Sequence, residues 1–63
     1  MPAVKVSEAI RQVEADGWYL VRQTGSHRQY HHPTKPGTVT IAGRPSQTLH
    51  PKTWANIRKQ AGL

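Results

Sequence analysis

Cysteine is absent from this 63-residue sequence, and its aromatic residues are only two Trp and two Tyr, with no Phe. Without cysteine, disulfide crosslinks and thiolate chemistry are excluded. A chain of this length predicts a single domain over residues 1–63, whose core supplies no more than about 3–5 kcal/mol. Because so thin a core leaves no room for a buried substrate cavity, we expect any active site to lie on the surface.

Long apolar runs are missing as well. No segment approaches the roughly 18 apolar residues that a membrane-spanning helix needs, and the N-terminus lacks the apolar region of a signal peptide. We therefore expect a soluble, cytoplasmic protein with no membrane partner.

Acidic residues are scarce and confined to one part of the chain. Glu8, Glu14 and Asp16 all precede Gly17, and the remainder carries seven Lys and Arg without a carboxylate, in a chain of net charge +6. Two-metal nuclease chemistry and glycosidase chemistry both need clustered carboxylates, so both are excluded. One-sided positive charge favours a polyanionic partner such as a nucleic acid.

The spacing of apolar residues predicts an α+β fold with the element order α-β-β-β-α. Helices are predicted over residues 6–16 and from 51 or 52 to about 62, and strands over residues 18–23, 27–32 and 38–42. Ser7 is expected to cap the first helix, and Gly17 to follow its C-terminal end. Short turns between the strands predict an antiparallel meander, with both helices on one face and water on the other.

The alternation of side chains along the first predicted strand does not show which face packs in the core, because both faces carry apolar residues. We expect Trp18 and Leu20, rather than Tyr19 and Val21, to pack beneath the helices, since a large residue just after a helix-ending glycine is well placed to cover them. The other predicted core residues are Tyr30, Val39, Ile41, Trp54 and Ile57. His27 is three residues from Tyr30, so the two side chains should point to opposite faces of the sheet.

Histidine is the only residue type left for acid–base chemistry near neutral pH. His27 follows Gly-Ser at the edge of a turn, and His31 can share its face of the strand. His32 is expected to end that strand, and His50 to be a loop or cap residue. Because His31 and His32 point to opposite faces, and cysteine and nearby carboxylates are missing, we expect no metal site and no cofactor.

An RNA phosphodiester carries its own nucleophile, the 2′-OH, so cleaving it needs only a proton-transfer group and a cation. Both are present, but the residues alone leave three interpretations open. The chain could be an endoribonuclease, a non-catalytic double-stranded-RNA-binding module, or a DNA-binding module that uses the helix over residues 52–59.

The order and spacing of several segments, over almost the whole chain, resemble the HicA toxins. These segments are Gly17-Trp18, Arg22, Gly25-Ser26-His27, Tyr30, His32-Pro33 and residues 57–63. The resemblance implies a double-stranded-RNA-binding-domain-like fold, ribosome-independent cleavage of mRNA, and silencing by a HicB-type antitoxin. It also implies that His27, in the Gly-Ser-His motif, is the catalytic residue. Residues 42–47 depart from the commoner His- and Lys-containing loop of the family.

Five basic residues are candidates to bind RNA phosphates: Arg22, Arg28, Lys35, Arg44 and Lys52. Arg28 adjoins His27 in sequence but is expected to project from the opposite face of the strand, so its contribution should be indirect.

Overall fold

The structure, a computed structural model, describes residues 3–63. Its elements are α1 (Val6–Ala15), β1 (Tyr19–Thr24), β2 (His27–His31), β3 (Val39–Ile41) and α2 (Pro51–Ala61). The predicted α+β order is confirmed, and the observed ends lie within one or two residues of the predicted ones.

The three strands form one antiparallel sheet in the order β1-β2-β3, so β2 is the central strand. Tyr30 pairs with Val39, and Arg28 with Ile41, across the β2–β3 ladder. Directly opposed residues share a face, and the buried Tyr30, Val39 and Ile41 show that this face meets the helices. As predicted, His27 lies on the other face of the strand.

Trp18 and Leu20 have different environments, which corrects one expectation. Trp18 is 2% exposed and belongs to the core, as predicted, but Leu20 is 46% exposed. Leu20 pairs with Tyr30 and so faces the helical side, yet the helices pack against β3 and against each other. The outer strand β1 therefore lies outside the part of the sheet that the helices cover. A bulge also shifts the register of β1 between Leu20 and Arg22.

The start of α1 also differs from the prediction. Its N-cap is Lys5, without a side-chain cap, and Ser7 lies inside the helix. The first free amides are bonded instead by the loop before α2. The Val6 N–H donates to the Gln47 carbonyl (2.9 Å), and the Ser7 N–H donates to the Pro45 carbonyl (3.0 Å). Backbone carbonyls of a distant loop therefore replace the expected hydroxyl cap.

Gly17 ends α1 as predicted, in a left-handed conformation with φ +108°. Its N–H donates to Glu14 O, and the Trp18 N–H donates to Val13 O (3.1 Å), the pair of bonds that defines a Schellman motif. The motif places Trp18 against Val13 in the core. A Cβ at Gly17 would approach His32 Nε2 to 2.8 Å, so both conformation and space require glycine here.

Candidate active site

His27 is the first residue of β2 and follows a two-residue hairpin turn. Thr24 pairs with His27, so Gly25 and Ser26 are the whole loop. Gly25 has φ +58°, and no non-glycine residue among residues 3–63 has positive φ. A positive φ at the first loop position alone is typical of a type II′ turn, which suits the twist of a hairpin. The Gly-Ser sequence thus favours the tight turn after which β2 begins at His27.

This turn is fastened to the chain that follows β3. The Gly43 N–H donates to the Ser26 carbonyl (3.3 Å). Arg28 Nη1 donates to the Gly43 carbonyl (2.9 Å) and to the Ser26 carbonyl (3.3 Å). Arg28 projects from the face opposite His27, as expected, and its guanidinium holds together the two segments that position His27. Its role in the site is therefore to position the turn.

The face of the sheet away from the helices carries Tyr19, Arg22, Thr24, His27, Gln29, His31 and Thr40, and we call it the open face. All seven are exposed, and none is acidic. His27 pairs with Thr24, and Arg22 is the next residue of β1 on that face, so Arg22 and His27 are diagonal neighbours. Diagonal neighbours lie about 7–8 Å apart, within reach of a long side chain. The register therefore places Arg22 and His27 on the same exposed face, with the guanidinium able to reach the imidazole.

The other three candidate phosphate-binding cations differ in their distance from His27 and in their availability. Arg44 directly follows Gly43, so its backbone lies next to the turn that carries His27. Lys52 lies in the first turn of α2, in the helical layer and not on the open face. Lys35 Nζ donates to Asp16 Oδ2 (2.5 Å) and to the Ala61 carbonyl (3.1 Å). Its ammonium group is therefore already engaged, at the C-terminal ends of both helices.

His32 is held more tightly than any other histidine of the described chain. Its Nδ1 accepts the backbone N–H groups of Thr34 and Lys35 (both 3.1 Å), so the ring proton is on Nε2, which donates to the Asp16 carbonyl (2.7 Å). The ring edge meets Trp18, with 5.2 Å between centroids. These contacts make His32 a structural residue that joins the end of β2 to the end of α1.

Asp16 is the carboxylate of this structural cluster. The hydrogen bond from Lys35 holds the pKa of Asp16 below its ordinary value, and Coulomb attraction to the Lys35 ammonium group adds to the effect. The carboxylate consequently stays ionised, and the pair stays intact, to a lower pH than an isolated aspartate would allow.

The remaining histidines have the positions expected of them. His31 shares the open face with His27, and a hydrogen bond joins its Nε2 to Thr38 Oγ1 (3.2 Å). His50 is the N-cap of α2, where Nδ1 accepts the Lys52 N–H (3.1 Å). Within residues 3–63, the His27 side chain is exposed and its imidazole makes no hydrogen bond.

Within the described chain, no three His, Cys, Asp or Glu side chains lie close enough to hold a metal ion. Over the same residues, no helix is long and apolar enough to cross a membrane.

Comparison with protein families agrees with the motif order and with this fold. The profile of the family described as the HicA toxin of bacterial toxin-antitoxin matches residues 6–63, from the start of α1 to the last residue. The chain belongs to the HicA toxin family. No curated protein matches the sequence significantly. This HicA chain is therefore a toxin, and membership of the family implies an antitoxin partner.

Sequence reasoning missed two features of the site in this HicA chain. One is the anchoring of the turn before His27 by Gly43, which depends on a contact between segments far apart in sequence. The other is that Tyr19 and Arg22 share the open face: regular alternation puts residues three apart on opposite faces, and the bulge between Leu20 and Arg22 changes this. No local signal in the sequence indicates either one.

Proposed function

We propose that this HicA toxin is a metal-independent endoribonuclease that cleaves mRNA, with His27 as its catalytic residue. The observation that carries the proposal is the exposed His27 imidazole, held on an anchored turn with Arg22 as its diagonal neighbour. Gly43 and the Arg28 guanidinium anchor the turn before His27, and because no carboxylate lies on the open face, the imidazole is the group available for proton transfer.

The reaction uses the 2′-OH of the RNA as nucleophile. His27 takes the 2′-OH proton as general base, O2′ bonds to the adjacent phosphorus, and the P–O5′ bond breaks, with the leaving O5′ taking a proton from solvent water. The products are a 2′,3′-cyclic phosphate and a 5′-OH. Arg22 donates hydrogen bonds to the non-bridging phosphate oxygens, whose charge grows in the transition state. Arg44, beside the turn, and Lys52, in the helical layer, supply longer-range attraction for the RNA backbone.

Cleavage is expected to persist in EDTA and to stop when the nucleotide at the cleaved position carries a 2′-deoxy sugar. The first result follows from a mechanism without a metal-activated water, and the second from the loss of the nucleophile. The measurement is gel analysis of a labelled RNA and its singly 2′-deoxy counterpart, with product ends identified by mass spectrometry. Strict magnesium dependence, or cleavage of the 2′-deoxy substrate, would contradict the mechanism.

The same cleavage assay separates the endoribonuclease from an RNA-binding module, and a binding assay with duplex DNA tests the third possibility. A non-catalytic RNA-binding module would retain the RNA without cutting it, and a DNA-binding module would prefer duplex DNA. The latter would use α2, where the Arg58 guanidinium already lies over the Trp54 ring, 5.6 Å from its centroid. We favour the endoribonuclease because the exposed His27 lies on the open face with Arg22 as its diagonal neighbour, whereas α2 carries no group suited to cleavage near neutral pH.

We further propose that the antitoxin is an acidic, HicB-type protein that covers His27, and that both proteins act in the cytoplasm, where mRNA is found. Seven cations and no carboxylates from Gly17 onward favour attraction of an acidic surface. Occluding an exposed catalytic face needs no conformational change in the toxin.

Expression of this chain alone is expected to arrest growth, and co-expression with the neighbouring reading frame should restore it and give a stable complex. In that complex, carbethoxylation of His27 should be suppressed, as measured by mass spectrometry, while His50 serves as the internal reference. A complex in which His27 is modified as readily as in the free toxin, with RNA cleavage undiminished, would contradict occlusion.

A further inference from the structure

Tyr19 is the only aromatic residue on the open face of the described sheet, and its side chain is 49% exposed. The other three aromatic residues, Trp18, Tyr30 and Trp54, are buried or half-buried. Exposing a ring of this size leaves unfavourable apolar surface in water unless a partner covers it. The catalytic step proposed above gives Tyr19 no role.

The strand register places Tyr19 in line with the catalytic residues. Along the open face the cross-strand pairs are Thr24–His27, Arg22–Gln29 and Tyr19–His31. His27 and His31 are four residues apart on one strand, which corresponds to about 13 Å. That distance spans no more than about four nucleotides, even where successive bases stay stacked about 3.4 Å apart. A single RNA strand crossing His27 can therefore also reach Tyr19.

The immediate neighbours of Tyr19 on this face indicate which partner fits. They are His31, whose ring is held by Thr38, and the Arg22–Gln29 pair. A protein hot spot surrounds its aromatic anchor with contacts that exclude water, whereas the neighbours of this ring on the open face are exposed polar and cationic residues with no carboxylate. Single-stranded nucleic-acid sites combine an aromatic platform with a cation that follows the backbone.

We propose that Tyr19 is a base-stacking platform for single-stranded RNA, within about four nucleotides of the bond cleaved at His27. The inference rests on the proposed function for the location of the cleaved bond, but not for the stacking itself. Arg22, which contacts the cleaved phosphate in the proposed mechanism, lies between the two positions. The open face then binds a single strand, and the stacked base fixes which phosphodiester meets His27.

The test measures binding without cleavage. A fluorescein-labelled 2′-O-methyl RNA oligonucleotide, which lacks the free 2′-OH nucleophile, is titrated with the full-length toxin while anisotropy is recorded. Tyr19→Ala is expected to weaken binding about 5-fold or more, the usual range for loss of one stacked base. Tyr19→Phe should bind like the unmodified protein, because stacking needs the ring and not the hydroxyl.

Leu20→Ala is the matched control, since Leu20 is similarly exposed on the same strand but faces the helical side. It should leave affinity unchanged, and thermal melting should show that all three variants fold. A blunt RNA duplex, whose bases are already stacked, should bind Tyr19→Ala and the unmodified protein equally.

Several results would overturn the inference. One is a loss of single-strand RNA affinity in Leu20→Ala equal to that in Tyr19→Ala. Another is a loss of duplex affinity in Tyr19→Ala equal to its loss of single-strand affinity. The third is unchanged single-strand affinity in Tyr19→Ala. Weakened antitoxin binding with unchanged RNA affinity would assign Tyr19 to the protein partner instead. Failure of the nuclease proposal is distinguishable, because unmodified RNA would then remain uncleaved in activity assays while the effect of Tyr19→Ala on binding to the 2′-O-methyl oligonucleotide remained.

Discussion

Replacing His27 with alanine is expected to lower the rate of RNA cleavage by about 10²–10⁴-fold, the usual contribution of a general acid or base. The fold should survive, because the side chain is exposed and bonds to no other described residue. RNA affinity should change little, since phosphate contacts come from the cations and not from the imidazole. The measurements are single-turnover cleavage, anisotropy binding and thermal melting on the same preparation.

His50→Asn is the matched control for His27→Ala. It removes an imidazole, but asparagine can still accept the Lys52 N–H and cap α2. Cleavage by the control should match that of the unmodified toxin. Full activity in His27→Ala would remove His27 from the mechanism, and loss of activity together with melting at lower temperature would make it a structural residue.

Element order was predictable because it is encoded locally. An apolar stripe marks α1, a glycine ends each helix, and short Gly- and Pro-containing turns separate the strands. The predictions that were wrong concern contacts between segments that are distant in sequence. Ser7 looked like a cap, but the carbonyls of Pro45 and Gln47 take that role. Leu20 faces the helical side as expected, yet no helix extends far enough to cover β1.

The candidate site was predictable in part for the same reason. The Gly-Ser turn and strand alternation place His27 and His31 on one face without any knowledge of tertiary contacts. The role of His32 could not be read from sequence, because its partners are the end of α1 and the turn after β2. The charge of Lys35 made it a candidate phosphate ligand. In the structure it binds Asp16 instead, which lies nineteen positions earlier in the chain and could not be identified as its partner from sequence.

Trp18→Ala is expected to have the largest effect on stability, with a loss of about 3–5 kcal/mol in the free energy of unfolding. The indole is 2% exposed, and its Nε1–H donates to the Ala61 carbonyl (3.2 Å), so it joins the end of α1 to the end of α2. A domain of this size has little more stability than that to lose, and the isolated variant should be largely unfolded in urea titrations followed by circular dichroism.

Two further variants separate the contributions of Trp18. Trp18→Phe keeps most of the apolar volume but loses the indole N–H, and Lys35 still donates to the Ala61 carbonyl, so the loss should be about 1–2 kcal/mol. Trp54→Ala removes an equally large ring from a half-buried position on α2 and should cost less than Trp18→Ala. If the two alanine variants unfold at the same urea concentration, burial at the junction of the helix ends does not dominate stability. If Trp18→Ala unfolds at the lower urea concentration, burial at this junction contributes more to the free energy of unfolding than the half-buried ring on α2. The folded domain, including the sheet that carries His27, then depends on this junction.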